Sequence, residues 1–267
     1  MSQQSSPSAK AQAPLQRALQ QVVIPDLLRR RQAQVGPSGS LDPAALKRLA
    51  QSSLLSVHAI ESDLESMLAG GWRMDDLYLQ AVAEIARLLG QWWIEDHIDF
   101  ANLTLATGRL QQLLREWEPR FMRSAQPLEG LQGQQALLLN PFESHHSLGL
   151  MMLQAFFRRD GWTVPSTWGM NDQDLLHTVR DHSVALVGLS ISTDRHLMAI
   201  RRLVASLRQH SRHPHLQIML GGPLVMAHPD MASHLGADWL AGHADEASRQ
   251  AHERVHRASK TLFKMNT

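Results

Sequence analysis

The stretch Ala136-Leu137-Leu138-Leu139-Asn140-Pro141-Phe142-Glu143-Ser144-His145-His146-Ser147-Leu148-Gly149 decides how the fold is read. Its four consecutive apolar residues, ended by Asn-Pro, predict a short strand buried on both faces. Beyond the loop, Leu148, Met151, Met152, Ala155 and Phe156 recur at helical spacing as far as Gly161. The order strand, loop, helix then repeats. Strands are expected at 162–164, 184–189, 216–220 and around Trp239, with helices at 172–180, 197–208, 229–235 and from Asp245 onward. Such alternation predicts an α/β unit with a parallel sheet and helices on both faces, a flavodoxin-like (Rossmann-type) domain over residues 130–260.

Upstream of Pro127 the period is helical throughout. Asp42 can cap a helix with Pro43 in its first turn and Leu46, Leu49 and Ala50 as its stripe. Ser62-Asp63-Leu64-Glu65 has the capping-box pattern and predicts a second helix start, stopped at Gly70-Gly71. Asp75 and Asp76 open a third, and a fourth runs from about 96 to 116 with Leu103, Ala106, Leu110 and Leu113 on one face. Four helices with short connections predict an N-terminal four-helix bundle over 41–125. Residues 1–40 read as a flexible arm of Ser, Gln, Ala and Pro around one weakly periodic patch at 15–31, closed by Gly36-Pro37-Ser38-Gly39-Ser40. The run Arg29-Arg30-Arg31 reads as a solvated helix end.

Composition narrows the function. The chain has 267 residues, 43% of them apolar, enough for one large or two small domains. Lys plus Arg number 26 against 25 Asp plus Glu, so no long-range field favours nucleic acid, and direct sequence-specific DNA binding is not expected. There is no cysteine, which excludes disulfides, thiolate metal ligands and cysteine nucleophiles. Any metal must rest on nitrogen or oxygen. The apolar runs fall far short of the roughly 18 residues a membrane span needs, so a cytoplasmic protein without membrane contact is expected. The nucleotide-binding patterns Gly-x-Gly-x-x-Gly and Gly-x-x-x-x-Gly-Lys, the zinc pattern His-Glu-x-x-His and the Gly-x-Ser-x-Gly elbow are all missing.

In an open parallel sheet, ligands sit at the carboxyl ends of the strands. Three loops there carry unusual residues: 140–149, Ser190-Ile191-Ser192-Thr193, and Gly221-Gly222-Pro223. Glycines allow close backbone approach to a bulky ligand, hydroxyls give adaptable hydrogen bonds, and an imidazole before a helix can bind a transition metal. Together they point to a large, metal-bearing cofactor.

These residues resemble the cobalamin-binding proteins in which a helical bundle caps a flavodoxin-like domain. That family's signature is Asp-x-His-x-x-Gly, then Ser-x-Leu, then Gly-Gly; the matching residues here are Ser144-x-His146-x-x-Gly149, Ser190-x-Ser192 and Gly221-Gly222. The resemblance implies that His146 is the lower axial ligand of cobalt, displacing the cofactor's dimethylbenzimidazole tail. Ser190, Ser192 and Thr193 would meet that tail, with Gly221, Gly222, Pro223 and Gly242 giving it room. Ser144 stands where the family has an acid, while Glu143 forms Glu-x-His with His145, so either imidazole can serve; the spacing to Gly149 favours His146. Glu143, Ser144, His145 and Ser147 complete the cofactor loop.

The segment 89–101, Leu-Gly-Gln-Trp-Trp-Ile-Glu-Asp-His-Ile-Asp-Phe-Ala, resembles the cap of light-sensing cobalamin regulators. There a Trp precedes a Glu-His pair that faces the upper ligand. Counted from Trp93, those places hold Leu103 and Thr104, which by resemblance favours a hydroxo or aquo form of cobalamin over the adenosyl form. The segment 99–114, the helix ending in Phe156-Phe157-Arg158-Arg159-Asp160-Gly161-Trp162, and Gly236-Ala237-Asp238 look most like the AerR/PpaA group. That resemblance covers about residues 41–250. It implies a light-responsive antirepressor, not an enzyme, acting on a PpsR/CrtJ-type transcriptional repressor of photosynthesis genes. Two alternatives stay open: a haem-binding redox or gas sensor, since imidazole ligates iron as well, and the corrinoid carrier of a methyltransferase. A linear tetrapyrrole accompanying the corrin is also compatible with these residues.

Overall fold

The computed structural model describes residues 41–131, 133–141 and 148–265. The arm at 1–40 and its periodic patch lie outside them. Helix α1, Pro43–Leu55, is capped by Asp42, whose carboxylate accepts from Ala45 N at 3.3 Å. Helix α2, Val57–Ala69, follows after a single extended residue, Ser56, which accepts from Ala59 N at 3.0 Å. This corrects the expected start at Ser62. Ser62 lies inside α2 and its carbonyl accepts from Ser66 Oγ; the true cap, Ser56, has Ala59 at the third position and so lacks the acidic half of the box.

Helix α3 covers 74–94: Met74–Asp76 and Ala83–Ile94 are α-helical, and Leu77–Val82 between them is π. Tyr78, in the π turn, is buried and stacked on Phe121 with ring centroids 4.1 Å apart. Burial, followed by the Glu118 charge, pushes its phenol above the ordinary range. Helix α4, Phe100–Met122, starts later than expected, because Asp96 takes a left-handed φ of 57° in the turn and Asp99 is the cap, accepting from Asn102 N at 2.7 Å.

The sheet has four parallel strands in the order β1 (Gln135–Leu139), β2 (Val184–Ser190), β3 (Gln217–Gly221), β4 (Trp239–Leu240). The strand expected at 162–164 is reduced to a bridge between Thr163 and Gln135. Pro165 follows and has no N–H with which to extend the ladder. Because the bridge lies on the outer side of β1, the sheet keeps the flavodoxin-like sequence of chain crossings. Its helices are α5 (Leu148–Arg159), α6 (Asp172–Asp181), α7 (Leu197–His210), α8 (Pro223–Ala227), α9 (Met231–Leu235) and α10 (Ala244–Met265). Helix α8 was not foreseen, and α9 begins two residues later than expected.

One face of the sheet is covered by α6 and α7 through Leu175, Val179, Leu203 and Leu207, the other by α5 and α10 through Leu150, Phe157, Ala247 and Ala251. Helix α5 is therefore two-sided. Its Leu148, Met152, Ala155 and Phe156 join the apolar core of the bundle, so bundle and sheet share a continuous interior. Arg158 pairs with Glu118 of α4 at 2.8 Å, and Arg159 pairs with Asp75 of α3.

A pH dependence follows from the turn before β3. Burial, and then the charge of His215, hold the His213 imidazole below its ordinary pKa. The unfolded chain therefore takes up the proton first. Stability is intact above an unfolded value near 6.5 and is lost as pH falls from there through the lower folded value. His213→Asn is expected to flatten the drop in urea midpoint between pH 7 and pH 5; an unchanged drop would remove His213 as its source.

Candidate functional site

Parallel register brings the carboxyl ends of the strands to one level: Leu139 faces Leu189, Ser190 faces Gly221, and Leu220 faces Leu240. The loops holding Ser190, Ser192, Thr193, Gly221, Gly222, Pro223 and Gly242 consequently leave from the same edge. Ser190, Ser192 and Thr193 are half-buried, as are Gly221 and Gly222, while Pro223 and Gly242 are exposed. Gly149 is exposed in the first turn of α5, which opens on this edge because α5 follows β1. Glu143, Ser144, His145, His146 and Ser147 lie outside the described residues, between Pro141 and Leu148.

The two glycines have separate reasons. Gly222 adopts φ 94°, ψ 167°, a region essentially restricted to glycine, and a Cβ on it would fall 2.6 Å from both N and O of Ile191. Those two atoms are engaged: Ile191 N donates to Gly221 O at 2.8 Å, and Leu224 N donates to Ile191 O at 3.2 Å. A Cβ on Gly221 would lie 3.2 Å from Ala241 O. The close approach expected at Gly-Gly is made by the protein's own backbone, and it ties the β2 and β3 loops into one shelf.

Helix α4 supplies a second wall. It lies along α5, and their C-terminal turns coincide at Glu118 with Arg158 and at Phe121 with Phe156. With 23 residues against 12, α4 is about 16 Å longer than α5. Helical periodicity puts Thr107, Leu103, Thr104 and Phe100 on the same side of α4 as Glu118, which pairs with Arg158 of α5. Phe100 is 64% exposed there. Thr104 is exposed but donates to Phe100 O, and Thr107 donates to Leu103 O, each at 2.8 Å. Hydroxyls turned back on their own helix leave this wall largely apolar.

Trp93 is only 9% exposed and lies beneath Phe100, ring centroids 6.2 Å apart. In this arrangement it is a core residue, and Phe100 presents the aromatic surface. Leu103 is half-buried against the bundle core. A second aromatic, Trp168, is 66% exposed beside the end of β1; its neighbour Thr167 donates to Leu138 O at 2.7 Å, with Gln154 donating to the same carbonyl at 3.1 Å. Neither Phe100 nor Trp168 was singled out from sequence. The available signal was position alone, an aromatic at a helix start and another just past a predicted strand end.

Among the described residues no three His, Cys, Asp or Glu side chains gather as a metal cluster, and no helix is long and apolar enough to cross a membrane. A cavity of about 580 Å³ lies away from this edge, in the bundle between α1 and α2.

Residues 135–251 match the family model of the B12 binding domain. The match starts at the first residue of β1, contains all four strands, and ends within α10. A curated relative, an uncharacterized 20.5 kDa protein in the bchF-crtJ intergenic region of Rhodobacter capsulatus, is 27% identical over 167 residues, 62% of this chain and 84% of that protein. Among solved structures, the Methanosarcina barkeri monomethylamine corrinoid protein superposes with a TM-score of 0.65 at 14% identity, covering 79% of this chain and 96% of that one. The likeness is one of fold, a helical region followed by a parallel-sheet α/β domain. A cobalamin-binding protein from Desulfitobacterium hafniense aligns over 78% of this chain and 97% of its own, at 18% identity and a TM-score of 0.41.

Proposed function

We propose that the chain is a cytoplasmic, light-responsive cobalamin regulator with no catalysis of its own, relieving repression of photosynthesis genes by binding a PpsR/CrtJ-type repressor. The observation that carries this reading is the B12-binding match over the whole parallel sheet, whose carboxyl edge carries the Ser190, Ser192 and Gly221-Gly222 loops. The relative encoded between bchF and crtJ supports the photosynthetic setting. His146, or His145 as the alternative, is the residue to hold cobalt from below, with Glu143 and Ser144 the neighbours that aim it. Ser190 and Ser192, with the shelf built on Gly221 and Gly222, would hold the cofactor's tail, with Thr193 in the same loop. Bound cobalamin supplies a chromophore whose axial ligation responds to light. Leu103 and Thr104, standing where the light-sensing cobalamin regulators carry Glu-His, would favour a hydroxo or aquo form over adenosyl.

The test is reconstitution of the full chain, purified under dim red light, with hydroxocobalamin, adenosylcobalamin or haemin, followed by absorption spectra before and after illumination. Hydroxocobalamin is expected to be retained. Since outer-shell changes at metal sites already cost about 10- to 100-fold in affinity, His146→Ala should weaken retention at least that much and shift the lower-ligand band, with His145→Ala close to wild type. Retention of haemin alone would replace this reading by the haem sensor. Methyl transfer from a methylated corrinoid form to an acceptor would replace it by the carrier.

A further inference from the structure

The groove between α1 and α2 contains none of the residues assigned to the cofactor. Leu41, Leu49 and Leu55 line it from one side, Met67 and Trp72 from the other, together with Asp42 and Asp63. Leu55, at the last turn of α1, is 73% exposed. A helix end that keeps a leucine in water beside a half-buried Trp and Met has an apolar surface to cover. The chain enters this groove directly, since Leu41 and Asp42 are both part of its lining.

Forty residues precede Leu41, and their sequence suits the groove. Leu15, Ala18, Leu19 and Val22 recur at i, i+3, i+4 and i+7, the pattern by which an apolar helix face fills a hydrophobic groove. Residues 15–31 carry four arginines, Arg17, Arg29, Arg30 and Arg31, against Asp26. The groove offers Asp42 and Asp63 against Arg48. We propose that residues 15–31 of the same chain dock in the α1–α2 groove.

Magnitudes favour this occupant over a second copy. Residues 32–40 form a tether that spans at most about 30 Å, and a short Gly/Ser-containing tether gives an effective concentration on the order of 1 mM. A segment with an intrinsic dissociation constant of about 0.1 mM therefore occupies its own groove about nine-tenths of the time. A second copy at micromolar protein would need roughly a thousandfold tighter contact to compete. Docking would also lay Arg29-Arg30-Arg31 along the bundle, so that releasing the segment exposes a basic arm.

The proposal is tested on the full chain by the initial rate of tryptic cleavage at Arg29-Arg31, which follows the undocked fraction when docking is fast. Leu19→Asp on the segment and Leu55→Asp in the groove are each expected to raise that rate roughly tenfold, and the two together no further than one alone. An unchanged rate in Leu55→Asp, or effects that multiply, would overturn it. A second measurement uses the absence of native cysteine. Val22→Cys with Leu55→Cys, bridged by a flexible bismaleimide, should give a cross-linked monomer, whereas Val22→Cys with Glu253→Cys on α10 should give none. Equal yields from both pairs, no product from either, or covalent dimers in place of monomers would overturn the intramolecular contact.

Discussion

Gly222→Ala is expected to destabilise the protein by about 3–5 kcal/mol, while Gly221→Ala, one residue earlier, costs roughly 1 kcal/mol or less. At Gly222 two penalties combine. The φ of 94° with ψ 167° costs an alanine on the order of 1–3 kcal/mol, and a Cβ 2.6 Å from the N and O of Ile191 adds overpacking of similar size. The obstructing atoms are backbone, Ile191 is buried, and the same N and O hold the links to Gly221 and Leu224, so relief would break a hydrogen bond. At Gly221 the added Cβ meets only Ala241 O at 3.2 Å, a contact that a few tenths of an ångström relieves. Urea unfolding of both variants measures the difference. Equal midpoints would mean that the β2 and β3 loops are not locked together. The same pair tests the site: with Ser190, Ser192 and Thr193 carried on the shelf that Gly222 fastens, cofactor retention should fall with Gly222→Ala and persist in Gly221→Ala.

The contrast between those glycines shows what sequence could convey. Strand, loop and helix followed from apolar runs and 3.6-residue spacing because β1, β2 and β3 are buried on both faces and α5 on two sides, so burial wrote the pattern directly. The edge carrying the candidate site was equally legible, since parallel strands all point one way. Register and close approach were not legible: nothing in Gly221-Gly222-Pro223 says that only the second glycine is pressed against Ile191. Helix starts failed where a cap lacked its usual partner, as at Ser56, or where an acid sat one turn too early, as at Asp96. The π turn at Leu77–Val82 also left no mark, because one extra residue per turn keeps Leu77, Ala81 and Val82 inside and looks helical in sequence. Trp93, a cofactor-site candidate by resemblance, is buried with the Phe100 ring against it, a contact that spacing alone does not convey.

Arg159→Met should cost about 3–5 kcal/mol and uncouple the bundle from the sheet. Arg159 is 6% exposed at the end of α5, with its guanidinium carbon 4.6 Å from the Phe121 ring centroid and 4.7 Å from that of Phe156. It joins Asp75 at the start of α3 to Asp160, which lies at the end of α5 near Ser248 of α10. A planar fork stacked on aromatic rings is a role lysine fills poorly, so Arg159→Lys should recover only part of the loss. Removing the cation leaves Asp160 buried without its partner, the costly half of a broken buried pair. The consequence for pH has a definite sign. Burial already raises the Asp160 pKa above 3.8, against the opposing effects of Ser248 and Arg159, and losing Arg159 raises it further. The folded state then binds the proton more tightly than the unfolded state, so stability lost at neutral pH returns as pH falls through the raised folded value toward 3.8. Arg159→Met/Asp160→Asn should recover stability at neutral pH without that acid rise. Calorimetry separates the effects: one transition in the wild type is expected to become two in Arg159→Met, because the ion pair that ties Asp75 of α3 to α5 is lost and the rings of Phe121 and Phe156 lose the cation stacked on both. A single transition at an unchanged temperature would show that the apolar contacts of α5 alone hold bundle and sheet together.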